Sequence, residues 1–301
     1  MHDVIVAVPN DPALASFIGK KGAINSITFY YRKSDVIITA LAPTDVEDKF
    51  YAMAQSMLMA DIIVISTRNI DSSFGEALVA AALLNKKTLF TNDNDILQYI
   101  ARSGLNGYDI VDRSVLLDNI ERFAKAMTRS IEVNARVDID KAFPVKGIGT
   151  VLLGVVTKGA IKKHDKLYHN SGKLVEIRSI QSHDEDIEEA YSGTRVGLAV
   201  KGIEDKEVEK GAVLSTVRIP PANTVAVDME FSNMVKKPDS QFDALFVSGF
   251  SSSNAKVTQT ENRFMITFEK ALVIEKGDIF LLVGKTKPRV FARGKVTSVQ
   301  Q

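Results

Sequence analysis

At 301 residues, with 45% hydrophobic and 25% charged residues and a net charge of +1, the chain has the composition of an ordinary soluble globular protein, long enough for two or three domains rather than one core. No apolar run reaches the roughly 18 residues a membrane span needs, and the absence of cysteine excludes disulfides, thiolate metal sites and cysteine nucleophiles. A near-neutral chain has no global field for nucleic acid, so any such binding must come from a local basic patch; the expected home is the cytoplasm, with neither membrane nor DNA as a partner.

The opening MHDVIVAVP lacks a basic n-region and a small-residue cleavage site and reads as a first strand. Its apolar run, Val4 to Val8, meets Pro9-Asn10-Asp11-Pro12 where a nucleotide-binding domain would place a glycine-rich phosphate turn. Lys20, Lys21, Arg32 and Lys33 follow, either as a basic surface for an RNA backbone or as a solvated loop. The periodicity then predicts helices over 46–60, 74–86, 94–104 and 114–127, alternating with strands over 61–66, 87–90 and 108–111. That βαβα order implies a mostly parallel sheet covered by helices over residues 1–130. Asp71, Ser72 or Ser73 can cap one of these helices, and Asn94 or Asp95 the next.

After Arg129 only β-type alternation broken by glycine turns remains, and residues 131–219 are expected to form a barrel. Pro220-Pro221 marks a boundary, since neither proline can donate to a ladder. Residues 220–301, with strand patterns such as VAVDMEF, DALFVSGF and RFMITFE, are expected to form a second, smaller barrel. The predicted fold class is therefore a doubly wound α/β domain followed by two β-barrels.

The most specific run is IDKAFPVKGIGTVLLGVVTKGAIKKHDKLY at 139–168, followed by VEIRSIQSHDEDIEEAYSGTRVGLAVKGIEDKEVEKGAVLS at 175–215. Over residues 137–215 this pattern closely resembles the second domain of the elongation factor Tu family of translation GTPases, and within it the selenocysteine-specific factor and archaeal elongation-factor-like proteins. The third segment agrees in length and β content without a motif of its own. The resemblance implies that the middle domain holds the aminoacylated 3′ end of a tRNA against the first domain. The positions carried over are Asp140 and Phe143 lining the aminoacyl pocket, Lys141 between them where elongation factor Tu has an acid, Gln181 against the terminal adenine, the neighbouring His183, and Arg195 beside the aminoacyl group. A more basic pocket of this kind suits an anionic or thiol-bearing aminoacyl group, and Arg and Gln suit base recognition by stacking and edge hydrogen bonds. On general grounds the same residues have plainer readings: Phe143 as core, Lys141 and Arg195 as solvated strand positions, and His183 in SHDED as a surface histidine on an acidic turn, with no metal implied.

By position in the chain the first domain corresponds to the family's GTPase domain, so its motifs can be checked. FIGKKGA at 17–23 lies too far from Val8 and has no Ser or Thr after its lysines. Thr39-Ala40-Leu41-Ala42 stands where an Asp-x-x-Gly would hold magnesium. In NDND, Asn92 and Asp95 keep the spacing of the guanine-reading motif while Asp93 replaces its lysine; helix capping explains the same residues. The expectation is a degenerate GTPase domain: not an enzyme, no catalytic residue, no metal, and no cofactor, GTP and magnesium being unsupported by motif. Three functions remain open. One is an elongation-factor-like protein that binds aminoacyl-tRNA between domains one and two without a GTP cycle. Another is a divergent GTP-binding factor. The third is a non-catalytic scaffold that contacts the ribosome or another translation factor, which the acidic run at 184–189 would suit.

Overall fold

The computed structural model describes residues 2–24, 26–44, 50–129, 132–261 and 263–300. The first domain has strands β1 (His2–Ala7), β2 (Lys20–Ile24), β3 (Ile27–Lys33), β4 (Val36–Pro43), β5 (Ile62–Ile65), β6 (Thr88–Thr91) and β7 (Tyr108–Val111). Its helices are α1 (Pro12–Ile18), α2 (Phe50–Met59), α3 (Ser72–Leu84), α4 (Leu97–Ser103) and α5 (Leu116–Ala126). The strands form one seven-stranded sheet in the order β2-β3-β4-β1-β5-β6-β7. β1, β4, β5, β6 and β7 are parallel, whereas β3 runs antiparallel to β4 and β2 antiparallel to β3.

The apolar run Val4–Val8 is continuous because this central strand is covered on both faces. On α5 the buried residues Leu116, Ile120 and Ala124 fall on a single stripe, as for a helix with one face in water. Asp71 caps α3 by accepting from the amides of Ser73 (2.9 Å) and Phe74 (3.0 Å), and Asn85, left-handed at φ 50°, ends it. The segment 12–33 is a short helix and an antiparallel hairpin, so the solvated-loop alternative for its basic residues does not hold. Lys20, Lys21, Arg32 and Lys33 lie on that hairpin. Gly19 lets it fold back, since a Cβ there would sit 2.8 Å from the Tyr31 backbone. The helix expected over 46–60 is seen from Phe50 onward; residues 45–49 lie outside the described residues.

The second domain contains β8 (Arg136–Val145), β9 (Gly149–Lys158), β10 (Ala160–Lys162), β11 (Lys166–His169), β12 (Leu174–Ser182), β13 (Glu185–Ile187), β14 (Glu189–Tyr191), β15 (Arg195–Lys201) and β16 (Val213–Ser215). Its main sheet runs β11-β16-β8-β9-β15-β12-β13 and closes into a barrel through the β11–β12 pairing. The β8–β9 hairpin turns at Gly147 and Gly149, both at positive φ (81° and 100°). The third domain is the closed barrel β17-β20-β19-β18-β21-β22, made of β17 (Ala222–Phe231), β18 (Gln241–Ser248), β19 (Ser251–Gln259), β20 (Phe264–Leu272), β21 (Ile279–Val283) and β22 (Val290–Gln300). The expected fold class, an α/β domain and two β-barrels, is the one observed.

The three domains share buried surface. The apolar cluster of the first domain, which includes Phe29, Leu41, Met57 and Phe90, continues without a break into Val155 of the second and Val247, Phe250, Leu281 and Val290 of the third. This explains why α2 is apolar on nearly every side: it lies between its own sheet and strands β18 and β21. Gln55 of α2, 1% exposed, donates to the carbonyl of Phe250 (2.7 Å) in the third domain and accepts from Lys210 (2.8 Å) in the second. An apolar interface of this kind fixes domains that would otherwise be expected to move relative to one another.

Candidate functional site

Two places require description: the crevice at the carboxyl ends of the parallel strands, where doubly wound sheets bind ligands, and the face of the second domain beside the first.

In the crevice, the strand order reverses between the parallel neighbours β1 and β5, and the turn after β1 fills the gap. Asn10 donates from its side-chain nitrogen to the Ser66 carbonyl (2.7 Å) and accepts the Ser66 amide (3.0 Å). Asp11 accepts the amides of Ala13 (2.9 Å) and Leu14 (3.0 Å) at the start of α1, and Pro12 contributes no amide. Free amides at a helix start are what bind anions; here they face a carboxylate of the chain itself. The residues present therefore do not fit a nucleotide phosphate. Beyond the next strand, Thr67 donates to the Thr91 carbonyl (2.7 Å) and Asn94 donates to the Thr67 carbonyl (2.8 Å), stitching the two following loops together. Asn92 and Asp95 are both exposed; Asp95 accepts the amide of Leu97 (3.1 Å), but the N-cap of α4 is Ile96, without a side-chain cap, so neither Asn94 nor Asp95 caps the helix as expected.

On the second domain the candidate residues divide into two sets. Arg195 and Asp140, each 5% exposed, form an ion pair of 2.6 Å. The Arg195 guanidinium carbon lies 3.9 Å from the ring centroid of Phe29, on β3 of the first domain. Tyr31, next on the same face of β3, lies beside this guanidinium, and burial raises its phenol above the usual range, opposed by Arg195. His183, in left-handed backbone at φ 53°, meets Tyr31 edge-on at 5.0 Å. Its Nε2 is buried and has no partner among the described residues, and burial holds its imidazole below the ordinary histidine range. Arg195 and His183 are thus covered by side chains of the first domain, and Asp140 is paired with Arg195. The plainer reading of Arg195 as a solvated strand residue does not hold, because a partner from another domain covers it. Nearby, Thr194 donates to Asp3 (2.6 Å) and Lys33 pairs with Glu185 (2.6 Å) across the same boundary.

Lys141, Phe143 and Gln181 form the second set, and the strand register aligns them. Lys141 lies opposite Leu153, Leu153 opposite Gly197, and Gly197 opposite Gln181, one row across β8, β9, β15 and β12. Three strand spacings put the two ends about 14 Å apart. The adjacent row is Phe143, Val151, Ala199 and Ser179. Lys141 and Gln181 are exposed, Phe143 and the floor residues Leu153, Gly197 and Val151 half-buried. The Lys141 ammonium lies 5.8 Å from the Phe143 ring centroid, and Gln181 donates to Asp186 (2.9 Å). Gly197 leaves the floor low: a Cβ there would touch only Leu153, at 3.5 Å. The result is a shallow apolar strip with a cation at one end and an amide at the other, bordered by Arg195 and β3. Such a strip can stack a flat ring and hydrogen-bond its edge. Sequence reasoning did not find Phe29 or Tyr31; their only signal was the aromatic run FYY on an unrecognised strand.

Among the described residues no group of His, Asp and Glu is arranged to hold a metal ion, and no helix is long and apolar enough to cross a membrane.

Residues 149–215 match the family model for elongation factor Tu domain 2. An uncharacterised protein of Methanocaldococcus jannaschii is 27% identical over 93% of this chain and 94% of its own length. Elongation factor 1-alpha of Methanothrix thermoacetophila is 29% identical over 67% of this chain, which spans about half (51%) of that relative. Among solved structures, the elongation factor SelB of Methanococcus maripaludis, in complex with a GTP analogue, superposes with a TM-score of 0.81 at 18% identity, covering 100% of this chain and 80% of that one. A bacterial selenocysteine-specific elongation factor gives a TM-score of 0.81 at 16% identity, over 98% of this chain and 58% of its own. At such identities the superpositions establish the fold, while the sequence matches carry the relationship. By domain order, by its middle barrel and by these matches, the chain is similar to the elongation factor Tu/SelB-like translation factors.

Proposed function

We propose that this elongation-factor-like protein binds the aminoacylated 3′ end of a tRNA along the strip beside the first domain, without a GTP cycle. The observation that carries the reading is the row Lys141-Leu153-Gly197-Gln181, left uncovered at the border of domain one. Its floor suits the planar adenine, Gln181 the adenine edge, and Lys141 with Phe143 the aminoacyl end. Asp140 and Arg195 act as a buried wall that fixes the border, and His183 seats Tyr31 against it.

The first domain serves in this reading as a fixed platform. An ordinary family member uses the γ-phosphate to order its switches; here Asn10 and Asp11 occupy the crevice, and α2 is held to both barrels through Gln55. The ribosome or another translation factor is a further partner consistent with this role.

The test is direct binding of aminoacylated and deacylated tRNA to the full chain, with and without GTP and magnesium. Preference for the aminoacylated form, equal in both conditions and weakened in Lys141→Ala and Gln181→Ala, is the expected result. Gly197→Ala, which raises the floor without straining the backbone, should fold normally and bind less tightly. Binding that requires GTP would favour the divergent GTP-binding factor, and no binding under either condition would favour a scaffold.

A further inference from the structure

A half-open cavity of about 230 Å³ lies where the three domains meet, between the end of α2, the start of β8, the end of β9, and strands β18, β21 and β22. That is many times the space one water needs. Lys86, Arg136, Lys158 and Arg293 line it, against Asp138 and Asp278.

The carboxylates are already saturated. Asp138 accepts from Arg136 (3.0 Å) and from the Thr157 hydroxyl (2.5 Å). Asp278 accepts from Arg136 (2.8 Å), Lys158 (3.3 Å) and the amide of Glu275 (3.0 Å). The cations are not. Among the described residues, Nε of Arg136 and Nε of Arg293 are both buried without an acceptor, and Arg136 is only 5% exposed. Glu275 pairs with Arg136 (3.1 Å) and Lys158 (2.9 Å), while among the described residues Arg293 pairs only with the solvent-exposed Glu230 (3.1 Å), a pairing of little strength. Lys86 spends its donors on the carbonyls of Met57, Leu58 and Ala60 at the end of α2. Among the described residues its charge meets no carboxylate in contact. Burial, with Arg293 adding to it against Asp61, lowers this ammonium to about 8.

We propose that this three-domain junction binds a small divalent oxyanion, a phosphate or sulfate group, which accepts from the Nε donors of Arg136 and Arg293 and neutralises the field of Lys86. Two unmatched guanidinium donors in one cavity are the recognition elements, since charge-assisted bonds to oxyanions are the strong kind. Because each wall comes from a different domain, the bound anion would clamp the assembly. An oxyanion would also raise the Lys86 ammonium, so binding is accompanied by proton uptake near neutral pH and weakens above pH 8, where Lys86 loses its charge.

The test is titration of the full chain with sodium sulfate, inorganic phosphate and glycerol phosphate, each against sodium chloride at matched ionic strength, followed by calorimetry and by urea unfolding. Saturable binding of sulfate or phosphate with a rise in unfolding midpoint, absent with chloride, is expected; tighter binding of glycerol phosphate would identify a phosphomonoester as the source. Arg293→Lys, at a part-exposed side chain, keeps a charge and removes the Nε donor, and should weaken binding about tenfold or more. Equal effects of chloride, or full binding in Arg293→Lys, would overturn the proposal and leave a water-filled cavity or an adventitious ion only.

Discussion

Replacing Arg195 by Met keeps much of the side-chain volume over Phe29 and removes the charge opposite Asp140. Both members of the pair are 5% exposed and 2.6 Å apart, so the variant strands a carboxyl in a buried site. Breaking such a pair from one side costs about 3–5 kcal/mol, with up to about 2 kcal/mol more from the lost contact with the Phe29 face. Urea unfolding followed by tyrosine fluorescence measures this loss, with no tryptophan to interfere and Tyr31 itself at the boundary. The double variant Arg195→Met/Asp140→Leu should recover much of the loss, because an apolar pair avoids the stranded charge. A loss under about 1 kcal/mol would refute the reading of Arg195 as the buried countercharge of Asp140.

Other outcomes follow from the same geometry. His183 and His169 are both held low by burial, so their contribution is intact above the unfolded value of about 6.5 and is lost as pH falls below it; His183→Asn, which tolerates left-handed backbone, should flatten the dependence of the urea midpoint between pH 7 and 5 relative to the wild type. Gln55→Ala leaves the Phe250 carbonyl without its donor and should cost about 1–3 kcal/mol, whereas Gln181→Ala, on the exposed strip, should stay within about 0.5 kcal/mol. Asp11→Ala removes the cap of α1 at about 1 kcal/mol and should bring no affinity for a fluorescent GTP analogue. Magnesium-dependent binding of that analogue by the wild type would contradict the nucleotide-free reading.

The three-domain order was legible because each period is sustained: helical spacing such as Leu116, Ile120 and Ala124, then alternation with glycine turns such as Gly147 and Gly149. The row from Lys141 to Gln181 could be named from the family pattern, but its alignment across four strands is a matter of register, which local periodicity does not carry. Residues 12–33 were missed because α1 is seven residues long, too short for periodicity to register. The hairpin behind it has one face against another domain, so Phe29 and Tyr31 did not alternate with polar residues as on a half-exposed strand. Arg195 read as a solvated strand residue for the same reason: what buries it lies at the far end of the chain. Asp11 had a legible signal, an acid before Pro12, and its consequence for the crevice follows from capping alone.

The central claim is that the strip receives an aminoacylated tRNA end without nucleotide, and protection of the aminoacyl ester tests it most directly. A mixed aminoacyl-tRNA pool is incubated with the chain, with and without GTP, and spontaneous ester hydrolysis is followed. The account predicts slowed hydrolysis of one or a few species, equal in both conditions and lost in Lys141→Ala and Gln181→Ala, the protected species naming the amino acid. Hydrolysis at the free rate in every condition would contradict it.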